Sequence, residues 1–327
     1  MPTPSSARSI AEPAPPVRLR RAASAGRRVW EGACRGVDPL FAAAESMAED
    51  SSLLTPAELF TTLMDRLDNR CDTGIATGID DLDELLGGLR PGAVTVVFGK
   101  TGHGKTTLAL SIVASALTHG VPALVCSPEF DDAELLRRFL GMGISKDPES
   151  ITAADLTKHQ ADIESLPLVV LPGGRSYTVT DLLGEIRAAV YGFGVRLVLI
   201  DPLDWLVEFG ARPENRLALI AQYLRALVVG IRDLPAHFIV VASPRKTQAG
   251  KELGTDDIAG SQLLGADAWN ILSVRAGKSY DGAPTAPSWV TVLKARSTGT
   301  RGKEVELVFM KNGRRIVQPA TGGKSRW

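Results

Sequence analysis

From about Thr73 onward, short apolar runs alternate with stretches whose apolar residues recur at helical spacing. Ala93–Phe98 is apolar apart from Thr95 and ends in a glycine-rich turn. Ala123–Cys126, Leu168–Leu171, Leu197–Ile200 and His237–Ala242 are similar runs, and helical patterns at Lys105–His119, Ala133–Leu140, Asp181–Tyr191 and Arg216–Ile231 separate most of them. Short apolar strands with helices between them predict a parallel sheet covered on both faces. Past residue 268 the pattern changes. Trp269–Val274, Trp289–Lys294, Glu304–Phe309 and Arg315–Val317 lie close together between turn residues. They read as further strands, antiparallel, at the sheet edge. The expected fold is therefore α/β: a mostly parallel central sheet flanked by helices, with antiparallel edge strands at the C-terminus. The periodic region spans 73–320 without an internal repeat, leaving 321–327 as a tail.

Upstream, a helix is expected within residues 52–72. Thr55-Pro56-Ala57-Glu58 offers an N-cap, a proline at the first helical position and a glutamate to close a capping box. Leu59, Phe60, Leu63, Met64 and Leu67 then repeat at helical spacing. Such an amphipathic helix either packs on its own domain or docks on a neighbouring subunit. Residues 1–51 are rich in Arg, Pro and Ala, with little apolar periodicity, and read as disordered. Three readings of this segment stand side by side: a basic arm that touches nucleic acid, a transit peptide, or an inert tail ahead of a natural start at Met47.

Composition narrows the function. The 327 residues are 44% apolar, enough to bury a full core. Lys+Arg and Asp+Glu are both 37, so the formal net charge is zero, which argues against coating nucleic acid by bulk charge. Contact with nucleic acid must then be local. The charge is uneven, since residues 1–36 carry seven arginines against Glu12 and Glu31. Cys34, Cys71 and Cys126 are widely spaced and odd in number, which suits a reducing compartment better than a disulfide framework. No apolar run approaches a membrane span.

The strongest motif is Gly99-Lys100-Thr101-Gly102-His103-Gly104-Lys105-Thr106, with Thr107 next. It fits G-x-x-x-x-G-K-[ST] at each fixed position, follows an expected strand and opens an expected helix. Glycines let backbone N–H groups turn inward around phosphate oxygens. The helix N-terminus presents its positive end to the same anions. Lys105 reaches the outer phosphates and the Thr106 hydroxyl takes a Mg²⁺ site. This is a nucleoside triphosphate site, for ATP or another NTP. His103 reads as a solvent-facing loop residue.

Two acids complete the chemistry. Arg196-Leu197-Val198-Leu199-Ile200-Asp201 puts an aspartate at the C-terminal end of an apolar strand, where open α/β sheets bind ligands. Asp201 is the candidate second Mg²⁺ anchor, on a strand expected to neighbour the phosphate-loop strand; Asp204 is the runner-up. Val125-Cys126-Ser127-Pro128-Glu129 ends another strand in a carboxylate, expected beside the phosphate loop. Glu129 either orients and deprotonates the attacking water or caps the next helix. Asp131 and Glu134 already supply a capping box there, which leaves Glu129 for catalysis.

The chain resembles the RecA-like ATPases. The resemblance rests on Thr77-Gly78, Asp81-Leu82-Asp83 and Leu86-Gly87-Gly88-Leu89-Arg90-Pro91-Gly92 ahead of the phosphate loop. Ser127-Pro128-Glu129 with Ala133-Glu134-Leu135, and Glu214-Asn215-Arg216 with its following helix, are similar to segments of the DnaB-like replicative helicases. Ser243-Pro244-Arg245-Lys246, Lys251-Glu252-Leu253, Gly260-Ser261 and Ala266-Asp267 look closest to the Twinkle branch of that group. The likeness covers roughly 52–318 and includes no primase, zinc-binding or N-terminal helical region.

The resemblance implies an ATP-dependent helicase that moves on single-stranded DNA as a homo-oligomer, a hexameric ring, with a primase or loader as possible partner. It implies that Lys294 and Arg296 reach into a neighbour's nucleotide, against the alternative of surface charges guarding an edge strand. Ser243 stands where the family often senses the γ-phosphate with Gln or His. Arg245, Lys246 and Lys251, in the loop 245–260, become the DNA-contacting candidates, together with 208–216. A RadA- or KaiC-like ATPase that remodels without unwinding is the competing reading, and an ATP-gated assembly module is a third. A bacterial or phage-encoded cytoplasmic protein is expected, organellar targeting less so.

Overall fold

The computed structural model describes residues 74–127, 130–171, 177–203, 216–244, 267–277 and 285–319, with 56–57, 59–61 and 64 upstream and the backbone alone at 216–221. The chain divides into two units, Met1–Asn69 and Arg70–Trp327. In the first unit the described residues are helical and Leu59, Phe60 and Met64 are exposed.

The second unit is built on one sheet. In chain order its elements are α1 (Asp80–Leu86), β1 (Val94–Phe98), α2 (Lys105–Thr118), β2 (Ala123–Cys126), α3 (Asp132–Ile144), α4 (Ala153–Lys158), α5 (Gln160–Glu164), β3 (Leu168–Leu171), α6 (Val179–Phe193) and β4 (Leu197–Ile200). They continue with α7 (Arg216–Ile231), β5 (His237–Ala242), β6 (Asn270–Ala276), β7 (Thr285–Ala295), β8 (Lys303–Met310) and β9 (Arg315–Val317). Among the described residues the sheet has nine strands in the order β3-β2-β4-β5-β1-β6-β7-β8-β9. β3 through β6 in this order are parallel, and β7, β8 and β9 add on antiparallel.

The strand positions correct several expectations. β6 is parallel to β1, because its first residues pair Asn270 with Thr95 and run the same way to Ser273 beside Phe98. Only β7 to β9 are antiparallel. β7 is an interior strand, flanked by β6 and β8, so it needs no charges to guard an edge. β4 lies next but one to β1, with β5 between them, and β2 lies one strand further out. Strand order depends on which crossovers pass over which face, and apolar runs of equal character do not encode it. α4 and α5 have no counterpart among the expected helices; they are short and bury no residue, so they leave no apolar period to detect.

Each face of the sheet carries a core. Val94, Val96 and Phe98 of β1 point to one face, where they pack with Phe238, Ile186, Leu224, Leu227 and Ile231 under α6 and α7. Val97 points to the other face, with Leu82, Leu86, Leu108, Ile112, Leu135 and Phe139 from α1, α2 and α3. This two-sided burial is why the parallel strands read as unbroken apolar runs. Caps set the helix ends. Thr178 and Asp181 form a reciprocal capping box on α6, and Gly194 ends it in the left-handed region (φ 68°). On α3, Asp131 accepts from the Glu134 N–H at 2.6 Å. The reciprocal half of that expected box is not formed: the Glu134 carboxylate instead pairs with Arg138 at 2.7 Å.

A polar chain crosses the centre of the sheet at its N-terminal end. Asn270 Nδ2 donates to Thr95 Oγ1 (3.0 Å), Thr95 Oγ1 meets His237 Nε2 (2.8 Å), and His237 Nδ1 meets the Arg90 carbonyl (2.6 Å). A carbonyl only accepts, so Nδ1 carries the proton and Nε2 accepts from the threonine. The bonds join β6, β1 and β5 side by side and fix their stagger. Burial pushes the His237 imidazole down to about 4, with the Arg90 carbonyl opposing the shift.

Candidate nucleotide site

The phosphate loop leaves β1 at Gly99 and enters α2 at Lys105, in the strand–turn–helix context expected of it. The backbone is left-handed at Gly102 and Gly104 (φ 79° and 89°), and Gly104 is the N-cap of α2. Gly99 is required for a different reason: a Cβ there would stand 2.5 Å from the Val274 carbonyl oxygen of β6. The loop is closed from within. The His103 N–H donates to the Lys100 carbonyl at 3.1 Å, and Lys105 Nζ donates to the same carbonyl at 3.3 Å. Lys105 and Thr106 are the first two residues of α2, so ammonium, hydroxyl and helix N-terminus converge on the loop. Thr101 sits at its tip, and Thr107 turns its carbonyl to the Ser111 hydroxyl at 2.7 Å one turn later.

His103 is not a solvent-facing residue. It is partly buried. Its Nδ1 is shut off from solvent. Burial lowers the imidazole's proton affinity; the Val274 carbonyl opposes this, and the Lys100, Lys105 and Arg275 cations reinforce it.

The other parts of the site gather at the C-terminal ends of the parallel strands. Asp201 follows β4 directly, is 1% exposed, and its backbone N–H donates to the Cys126 carbonyl at 3.0 Å. Ser243 follows β5, and the pairing of Ala242 with Phe98 carries it alongside the start of the phosphate loop. Glu129 lies outside the described residues, as do Asp204, Arg245, Lys246 and Lys251. The chain leaves β2 for Glu129 through the buried Ser127.

Lys294 and Arg296 are elsewhere. Lys294 pairs with Ile271 near the far end of β7, and Arg296 lies past the strand in the following turn, not on the same strand face. The Arg296 guanidinium stands 5.7 Å from the Trp269 ring, whose indole N–H donates to Ser297 Oγ at 2.9 Å. The Trp269 backbone N–H donates to the carbonyl of Val94, the first residue of β1. Arg296 donates its backbone N–H to the Trp269 carbonyl, and Gly99 is five residues beyond Val94, so the Arg296 backbone sits about 16 Å down the sheet from the loop of its own chain. Burial lowers the proton affinity of the Lys294 amine; Arg296 and Arg301 add to this and Asp267 opposes it.

Arg275 was not legible in the sequence. Its guanidinium stacks on Trp289 at 4.3 Å and meets the Glu304 carboxylate at 3.2 Å, across three strands whose pairing no local pattern reveals. A separate cavity of about 1160 Å³ is lined by Asp80, His119, Phe139, His159 and Arg315, among others, and by no residue of the phosphate loop. Among the described residues, no group of three or more His, Cys, Asp or Glu is placed to hold a metal.

A glycine loop between a buried parallel strand and a helix, with a buried acid at the end of a nearby strand, defines a P-loop nucleotide-binding domain. The chain belongs to the DnaB-like helicase C terminal domain family, whose profile matches residues 74–318. It is 25% identical over 253 residues to the replicative DNA helicase DnaB of Leifsonia xyli, covering 72% of this chain and 54% of that protein. It is 26% identical over 232 residues to the DnaB of Pasteurella multocida, covering 64% of this chain and 48% of the relative. The chain thus spans about half the length of the curated relatives it matches. In fold it is similar to a DnaB-like replicative helicase (TM-score 0.66, 19% identity, 92% of this chain and 76% of that one). A second solved ATPase domain aligns at a TM-score of 0.67 with 19% identity, over 81% of this chain and 99% of that one. A KaiC-like protein from Pyrococcus horikoshii aligns at a TM-score of 0.54 with 19% identity, over 75% of this chain and 97% of that one. The fold is that of the RecA-like ATPase domains.

Proposed function

We propose that this chain is the motor domain of an ATP-dependent, replicative-type DNA helicase that moves on single-stranded DNA as a homo-oligomeric ring. The phosphate loop in its strand–turn–helix context, in a chain of the DnaB-like family, carries the reading. Lys105 holds the outer phosphates and stabilises charge on the transferring phosphoryl group. Thr106 and Asp201 offer the oxygens that would hold Mg²⁺, which supplies further charge neutralisation. Glu129 orients and deprotonates the attacking water, and Ser243 senses the γ-phosphate. Lys294 and Arg296 serve the nucleotide of a neighbouring subunit. Their place at the opposite end of the strands from their own loop favours a role in trans. Arg245, Lys246 and Lys251 contact DNA phosphates without reading sequence. A primase or loader partner fits the same reading.

Two assays test this. Strand displacement on forked DNA with ATP is the expected activity, and single-stranded DNA should stimulate turnover. The KaiC-like neighbour shares the fold, so ATP turnover that is indifferent to DNA and produces no displacement would favour a regulatory ATPase instead.

A further inference from the structure

Arg296 leaves the end of β7 as an exposed side chain on a backbone that is fixed from both sides. Its own N–H donates to the Trp269 carbonyl at 3.1 Å. The Ala295 N–H before it donates to the Thr300 carbonyl at 3.0 Å, and the Gly299 N–H after it donates to the Ala295 carbonyl at 2.9 Å. Thr298 Oγ1 ties the same turn to the Leu85 carbonyl at 2.6 Å. These bonds fix where the arginine starts and leave open where its guanidinium points. Trp269 lies against that guanidinium. It is half-buried, and its ring is 5.7 Å away, within reach of a cation–π attraction. The ring is itself held, because the indole N–H donates to Ser297 Oγ at 2.9 Å. The Trp269 backbone N–H donates to the Val94 carbonyl at 2.8 Å, which hangs the residue on the strand that leads to the phosphate loop.

We propose that Trp269 is a positioning residue for Arg296: its ring face aims the guanidinium at the neighbouring subunit's nucleotide, and the bond to Ser297 keeps the ring in place. An aromatic face suits this task. It restrains the cation through its quadrupole and takes up none of the N–H donors. A carboxylate would bond those donors and offset the charge that a transferring phosphoryl group calls for. Arg275 shows the other arrangement, since it stacks on Trp289 and is also paired with Glu304 at 3.2 Å. Trp269 acts through Arg296 and not on the nucleotide in its own chain's loop. Its loss should therefore lower kcat and leave KM for ATP unchanged. A misplacement of about 1 Å can cost on the order of 10²-fold in rate, so the loss should lie between about tenfold and hundredfold, short of that from removing the arginine.

The inference rests on Arg296 acting in trans, and the experiment separates the two. ATP turnover of the full chain is measured with single-stranded DNA for Trp269→Leu, Trp269→Phe and Ser297→Ala. Trp269→Leu is expected to lose about tenfold or more in kcat at unchanged KM. Trp269→Phe keeps an aromatic face and should recover most of that loss. Trp269→Leu and Arg296→Ala are then each mixed with Lys105→Ala. In a mixed ring the Lys105→Ala subunit lends a well-aimed arginine to its neighbour's intact loop, so both mixtures should turn over ATP faster than the sum of their separate components. A residue that only supported its own sheet and loop would gain nothing from a neighbour's arginine. A wild-type kcat in Trp269→Leu overturns the proposal, as does a Trp269→Phe that is equally slow. No gain in the Trp269→Leu mixture, where the Arg296→Ala mixture does gain, overturns it and leaves the trans reading intact. No gain in either mixture removes both. If Trp269→Leu does not fold, Ser297→Ala decides: a lower kcat at unchanged KM is expected, and a wild-type rate overturns the proposal.

Discussion

For single residues, charge and burial decide what each group contributes. Lys105 opens α2 with its ammonium tied to the Lys100 carbonyl at 3.3 Å. Lys105→Ala should lose nucleotide binding, measured by fluorescent-nucleotide titration. Under the role proposed for Glu129, Glu129→Gln keeps the shape and removes the base, so it should bind ATP and fail to turn it over. His237 contributes through a different route. Its imidazole is neutral in the fold down to about pH 4, whereas in the unfolded chain it charges near its ordinary 6.5. Its contribution is therefore complete above pH 6.5 and is lost as pH falls from there to about 4, by on the order of 3 kcal/mol in all. Urea melts of the wild type at pH 7.5, 6 and 5 should show this decline, and His237→Gln should flatten it.

Among the elements, the loop is shaped as much by its neighbour strand as by its own residues. Gly99→Ala places a methyl group against a backbone oxygen at 2.5 Å, and backbone cannot swing aside as a side chain does. β1 and the loop must separate from β6, at a cost of roughly 1–3 kcal/mol, similar to overpacking a core. Nucleotide affinity should fall at least about tenfold with it, because the loop's N–H groups lose their aim. A melting curve and a binding isotherm on the same preparation check both. The loop and α2 were plain in the sequence because glycine, lysine and threonine must stand at set intervals there. The sheet order was not. The runs Ala123–Cys126 and Leu197–Ile200 are interchangeable in character, so no residue in either says which lies nearer β1. The order β2-β4-β5-β1 had to come from the crossovers.

In the whole molecule, the proposed trans role makes each chain's loop one half of a shared site. Arg296 lies at the far end of the sheet from its own loop, and the proposal has it meet the next subunit's nucleotide. Arg296→Ala should bind ATP and hydrolyse it on the order of 10³–10⁵ more slowly, the range for arginine fingers. Mixing it with Lys105→Ala, each inactive alone, should restore partial turnover, since some interfaces then pair an intact loop with an intact finger. Demonstrably mixed rings with no recovered activity would reject independent shared sites.

Residue order alone was enough for the α/β class, the strand–turn–helix of the phosphate loop and the family, because each depends on residue types at short, fixed spacing. Chain-local chemistry, such as the Thr178 cap, was equally open to reading. The folded chain was needed to learn that β6 runs parallel, that Arg296 leaves its strand, and that His103 is partly buried. Those facts depend on which distant strands lie side by side. That choice is made by the summed burial of both sheet faces and by the Asn270–Thr95–His237 bonds, and no short window of sequence contains it.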